Sequence, residues 1–182
     1  ASNRPLYIGE DVLRTVKYAD PQNPNSHQLP AKHKLHELSS NVQGTVLWYA
    51  AAVVNNPGNY AKLLQNNYWC YPALQPLMPF IDDKAPKKPR SLKVSWSDDG
   101  CLLHWKAPKG KGWENEAYKY VVYRFGPDEE IDLDNPTKIV AITYQPAIRL
   151  NYNGGETKYT YVVTALDRMS NESVGKKKKI RL

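Results

Sequence analysis

Two carboxylates in succession, Glu10 and Asp11, follow a short apolar run, Leu6-Tyr7-Ile8, and Gly9. Glycoside hydrolysis generally needs two carboxyl groups flanking the scissile bond: one protonates the leaving oxygen, the other attacks or activates water. In (β/α)8 enzymes such groups stand at the C-terminal ends of strands, where Glu10 and Asp11 fall. Adjacent residues at one strand end do not make an opposed pair. The two acids therefore read as residues facing a substrate or, alternatively, as acids leading into a helix or loop. Trp48 and Tyr49 end a second apolar run and present flat faces on which a sugar ring can stack; packed barrel interior is the other reading. Trp113, within a glycine- and lysine-rich stretch, is a further candidate contact residue. No residue of the chain is assigned a catalytic role.

Other chemistries find no support. His27, His33, His36 and His104 lack zinc spacing; His33 and His36 can share a helical face, but no third ligand is offered. Surface or capping histidines are expected. Cys70 and Cys101 form no CxxC pair and are expected to be packed, free thiols. There is no glycine-rich phosphate loop and no GxSxG elbow. No metal or cofactor is implied. The net charge of +7 is uneven, with 7 basic and 6 acidic residues in the first 84 and 18 and 12 in the rest. Much of the excess is Lys176–Lys179, which suits an edge strand protected against aggregation better than a nucleic-acid site, because no aromatics interleave with it. The longest apolar run, Thr45–Val54, is about half of the ~20 residues a membrane helix needs. The chain opens on a strand-like run without a signal-like segment, so an excised piece of a longer protein is expected.

Positioning these residues requires two kinds of structure. The runs at Leu6–Ile8 and Val42–Val54 are continuously apolar, like parallel strands covered on both faces. Between them Ala31–Ser40 has helix-forming residues with Leu35 and Leu38 three apart. After them Asn59–Trp69 spaces Tyr60, Leu63, Leu64 and Tyr68 along one helical face. Strand, helix, strand, helix is an α/β order. Asp82–Arg90, charged and punctuated by prolines, reads as a linker. Beyond it, strand-length runs recur at Leu92–Trp96, Cys101–Trp105, Tyr118–Phe125, Lys138–Thr143 and Ala147–Leu150. A tyrosine-rich strand from Lys158 and a lysine-rich last strand complete a seven-stranded sandwich pattern.

This second half resembles a fibronectin type III domain over about residues 86–182. Trp105 and Pro108 match the tryptophan and proline of that family's second strand, Tyr120–Tyr123 its third, and Leu150 the end of its fifth. Tyr159 matches the tyrosine opening the sixth strand, which implies a hydroxyl bonded back across the preceding corner. The stretch Pro108–Ala117 departs from the family as an insertion.

Tyr7-Ile8-Gly9, the strand from Gly44 through Ala51, the Asn56-Pro57-Gly58 turn, and Tyr71-Pro72-Ala73-Leu74 with Pro76, Met78 and Pro79 follow one another in a telling order. With Ala165–Arg168 and Asn171–Ser173, they resemble the end of the glycosyl-hydrolase-like 10 family of bacterial proteins. That resemblance implies that residues 1–84 are the last two strand–helix units of a (β/α)8 barrel and that residues 85–182 are a fibronectin type III-like module. It implies a secreted, periplasmic or cell-surface location, carbohydrate as the longer protein's partner and the rest of the barrel supplied in cis. Glu10, Asp11, Trp48, Tyr49 and Trp113 become substrate-contacting candidates. The fragment is expected to be architectural and inactive alone; an accessory carbohydrate- or protein-binding module is the alternative. A truncated barrel further predicts that the apolar residues Val46–Tyr49 are exposed and that the N-terminal half self-associates or folds against the sandwich.

Overall fold

Leu6–Asp11 (β1) and Val42–Trp48 (β2) pair in parallel, with Tyr7 opposite Gly44 and Asp11 opposite Trp48. The computed structural model describes residues 4–17, 22, 26–98, 100–110, 112 and 115–182. It is mostly β-sheet with few helices, in two units, Ala1–Cys70 and Tyr71–Leu182.

In the first unit the helices begin where the sequence relieves the unpaired N–H groups of a first turn. Asp11 Oδ1 accepts the Arg14 N–H at 3.0 Å at the start of α1 (Val12–Lys17). Pro30 lies in the first turn of α2 (Leu29–Glu37), where its missing N–H is not needed. Residues Ala50–Val54 form α3, and Tyr60–Leu63 form α4, which continues as a π turn through Tyr68. Val12, Leu29, Ala52, Tyr60 and Leu64 make the core, and Leu47 of β2 packs on it.

Two sequence expectations change here. The apolar run Thr45–Val54 is not one strand: β2 stops at Trp48 and the alanine-rich remainder is helical, in keeping with alanine's high helix propensity. In α2 the expected apolar pair, Leu35 and Leu38, is exposed. Leu29 and His33, one turn apart, are buried instead, and the polar His33 ring finds a stacking partner in Tyr68.

Helices and their core cover one face of the β1–β2 pair. On the other, Val46 is 56% and Trp48 67% exposed, and Tyr7 is exposed as well. The Tyr7 ring lies across Gly44, 2.8 Å from where a Cβ would stand, so glycine is what admits it. Parallel sheets generally have both faces covered; this pair has one.

The second unit contains β3 (Arg90–Ser97), β4 (Gly100–Lys106), β5 (Lys119–Phe125), β6 (Ile139–Thr143), β7 (Ala147–Leu150), β8 (Lys158–Leu166) and β9 (Lys176–Arg181). They form one sheet ordered β3-β4-β7 and another ordered β6-β5-β8-β9, antiparallel throughout. Leu92, Leu103, Trp105, Tyr120, Val122, Tyr161, Val163 and Ala165 fill the core shared by the two sheets. Trp105, 4% exposed, meets Tyr120 edge-on at 5.3 Å. Val94 and Tyr159 are partly buried at its margin. Trp96, on the same face of β3 as Leu92 and Val94, is 54% exposed although it lies opposite the buried Cys101.

The four-stranded sheet is covered on its other face too. Val121, Tyr123, Phe125, Ile139, Val162 and Leu166 form a second cluster, closed by Leu74 and Leu133. β5 thus buries both faces, which is why the residues Tyr120-Val121-Val122-Tyr123 show no polar–apolar alternation. Lys176–Lys179 are exposed on β9, at the sheet edge, as expected.

Between β8 and β9 the chain buries a polar turn. Asp167 Oδ1 accepts the N–H groups of Met169 and Asn171 at 2.8 and 2.9 Å, and its Oδ2 accepts Asn171 Nδ2 at 2.8 Å. The same Asn171 amide donates to the Asp82 carbonyl, and Ser173 Oγ accepts the Ala165 N–H. Glu172 Oε1 accepts the hydroxyls of Tyr123 and Thr164.

Three further expectations are corrected. Tyr159 is only partly buried, and no hydrogen bond joins its hydroxyl to the preceding loop among the described residues. Arg124 covers its ring instead, 5.0 Å from the centroid. Both cysteines are free, but only Cys101 is packed; Cys70 is exposed. His33 is buried and stacked rather than superficial or capping, and His27, though buried, does cap: its Nδ1 accepts the Leu29 N–H at the start of α2.

Candidate functional site

The parallel pairing sets Glu10 opposite Leu47 and Asp11 opposite Trp48. Glu10, Asp11, Trp48 and Tyr49 are thus gathered at the C-terminal end of the pair. Their surroundings separate their roles.

Glu10 is buried. The Tyr60 hydroxyl donates to its Oε2 at 3.4 Å, and His36 Nε2 approaches Oε1 to 3.5 Å, without the alignment of a hydrogen bond. Behind His36, Nδ1 lies 3.3 Å from Thr45 Oγ1 on β2. Burial, and then the Glu10 charge, push the Tyr60 hydroxyl far above its ordinary range, so it remains a phenol and a donor. His33 sits close by, its ring 4.2 Å from that of Tyr68 and nearly parallel. Burial lowers its pKa, and the Glu10 charge opposes this in part. His27 is likewise lowered by burial, opposed by the nearby Gly58 backbone; its Nδ1 accepts the Leu29 N–H at 3.3 Å.

Asp11 is committed elsewhere. Its carboxylate caps α1 and pairs with Arg14, Oδ2 to Nε at 3.6 Å. Of its two readings, the helix-leading acid describes the geometry. Trp48 and Tyr49 are exposed, with their rings edge-to-face at 6.4 Å. Trp113 lies outside the described residues.

The end of the pair therefore offers one buried carboxylate, a phenol and a histidine against it, and two accessible aromatic rings. An opposed pair of carboxyl groups is not formed by these residues. No three His, Cys, Asp or Glu side chains come together as a metal site among the described residues. His36 and Tyr60 were not singled out for this site by the sequence. The only available signal was the three-residue spacing of His33 and His36, and it did not point to Glu10.

A second surface lies in the sandwich. A cleft of about 480 Å³ is lined by Trp96, Asp98, Tyr152 and Arg181, among others. The Trp96 and Tyr152 rings meet edge-on at 5.3 Å and both remain exposed. Arg181 is steadied by a bond from its Nη1 to the Gly155 carbonyl at 3.4 Å.

No protein-family model matches the chain. Over 180 residues, 97% of its length, it is 31% identical to the protein named Glycosyl hydrolase YngK of Bacillus subtilis (strain 168). The chain spans about a third of that relative, 34% of its length. Among solved structures, one named FN3tt mut is similar over 53% of this chain and 96% of its own, with 20% identity and a TM-score of 0.41. An Fn3-like protein from Clostridium thermocellum is similar over 53% of this chain and 92% of its own, with 23% identity and a TM-score of 0.38. No helix among the described residues is long and apolar enough to cross a membrane.

Proposed function

We propose that this chain is the closing portion of a (β/α)8 barrel in a bacterial glycoside-hydrolase-like protein of the glycosyl-hydrolase-like 10 type, joined to a seven-stranded fibronectin type III-like accessory module. Residues 1–84 are the barrel portion and residues 85–182 the module, in a protein exported to the periplasm, the cell surface or the medium. The observation that carries this reading is the parallel pair β1–β2, dressed on one face and apolar but bare on the other, with Trp48 and Tyr49 at its C-terminal end. Further barrel strands would cover that face. The relative named as a glycosyl hydrolase supplies the chemical context.

In that setting Trp48 and Tyr49 form a sugar-stacking platform, while Glu10, held by Tyr60 and His36 on the helix-covered face with Leu47, supports the strand end behind it. Turnover requires an acid and base from the remaining strands, so the chain alone releases no sugar. Assays of reducing-sugar release from cell-wall and plant glycans, with tryptophan fluorescence titrations of neutral oligosaccharides, test this. Any release by the chain alone overturns the non-catalytic role. Binding unaffected by Trp48→Ala and Tyr49→Ala overturns the platform.

The cleft between Trp96 and Tyr152 favours a second reading, in which the sandwich itself is the carbohydrate-binding module. Under it Trp96→Ala abolishes binding that Trp48→Ala spares, and Trp113→Ala tests the insertion as a contact surface.

A further inference from the structure

On β5, Tyr120 and Val122 enter the core shared by the two sheets, and Arg124 follows on the same face. Arg124 itself is exposed, at the margin where that core ends. Its guanidinium carbon stands 5.0 Å over the Tyr159 ring. It also faces Tyr161, whose hydroxyl burial pushes up and the Arg124 cation pulls back. Among the described residues no carboxylate comes within ion-pair distance of it.

A cavity of about 260 Å³ opens at this point, lined on its polar side by Arg124, Arg149, Asn151, Asn153, Tyr159 and Tyr161. Among the described residues no aspartate or glutamate lines it. Two strands hold the tyrosines and the first arginine, and stacking on Tyr159 orients the exposed cation beside the cavity. A guanidinium prepared in this way recognises a planar carboxylate through two parallel hydrogen bonds. The asparagine amides and the phenols add donors and acceptors suited to hydroxyl groups. The volume lies below the roughly 300–1,000 Å³ of pockets for drug-sized ligands, which limits the occupant to about one sugar ring.

We propose that this cavity binds a single sugar acid, its carboxylate on Arg124 and its hydroxyls on Asn151, Asn153 and Tyr161. The anion follows from the cavity alone; the choice of a sugar to carry it rests on the carbohydrate reading above. The site is independent of Trp48 and Tyr49, so the two ideas fail separately.

The test is titration of the full chain with sodium D-glucuronate, D-glucose and inorganic phosphate at matched ionic strength, followed by amide NMR shifts. Glucuronate should bind saturably and shift residues 151–153 and 159–161. Arg124→Gln should weaken it about tenfold or more, the worth of one charge-assisted hydrogen bond, while any neutral-oligosaccharide signal at Trp48 persists. Absence of saturable glucuronate binding overturns the proposal, as does glucose or phosphate binding as tightly. Full affinity in Arg124→Gln does the same. If that variant melts at assay temperature, Arg124→Lys and Asn151→Ala replace it. Both should bind more weakly than the parent, and parental affinity in either overturns the assignment.

Discussion

β5 and β8 bury side chains on both of their faces, whereas β1 and β2 bury one face and leave Val46 and Trp48 in solvent. The first arrangement is self-sufficient: two apolar clusters, one on each side, are completed by residues of the same unit, including Leu74 and Leu133. The second is not, since a parallel pair is ordinarily the interior of something larger. Coverage, more than strand count, thus separates the unit that stands alone from the one that reads as a portion.

The sharpest way to break this contrast is Trp105→Ala. Removing a buried indole from the sandwich core should cost about 3–5 kcal/mol, seen as a large fall in the denaturation midpoint of the second unit. An unchanged midpoint would mean that the core does not depend on its largest side chain. In the first unit, Tyr60→Phe removes the donor to Glu10 Oε2 and should cost about 1–3 kcal/mol, measured by urea unfolding. A neutral result would show that water reaches Glu10.

The buried histidines sharpen the comparison through pH. His27 and His33 are lowered in the folded unit, so the unfolded chain takes up protons first as pH falls. Their contribution is complete above the unfolded value of about 6.5 and is lost progressively as pH drops below it towards the folded values. Thermal unfolding of the first unit between pH 7.5 and 5 should show a falling midpoint that His33→Phe reduces. The smallest effect belongs to Trp48→Ala, expected within about ±0.5 kcal/mol because the ring is mostly in solvent. A loss comparable to Trp105→Ala would mean that the bare face is covered in solution, and light scattering against concentration would reveal a second copy there.

Much of the framework was readable in the residues. Unbroken apolar runs foretold the parallel pair, and the recurrence of strand-length runs placed Ala147–Leu150 on a strand with those same bounds. Local pattern failed where a distant partner decides burial. Leu35 and Leu38 have helical spacing, yet the face of α2 turned inward is the one carrying Leu29 and His33. Tyr60 reaches Glu10 across fifty positions, a contact no periodicity encodes. Tyr159 matches in position the tyrosine that the resemblance pointed to, but Arg124 over the ring puts it in a different role. The second apolar layer on β5 and β8 was hidden because Leu74 belongs to a segment read as the tail of the preceding barrel.

The polar turn after β8 has a consequence for how this chain avoids folding wrongly. A strand with apolar residues on both sides carries no inside-outside code, so sliding it by one position against β9 would still bury greasy side chains. Hydrogen bonding supplies the missing code. A slip would pull Asp167 away from the two N–H groups and the Asn171 amide that satisfy it, and part Ser173 from Ala165. Each orphaned buried group costs about 1–3 kcal/mol. The turn therefore acts as a proofreader of strand alignment, rejecting near-miss hairpins that hydrophobicity alone would accept.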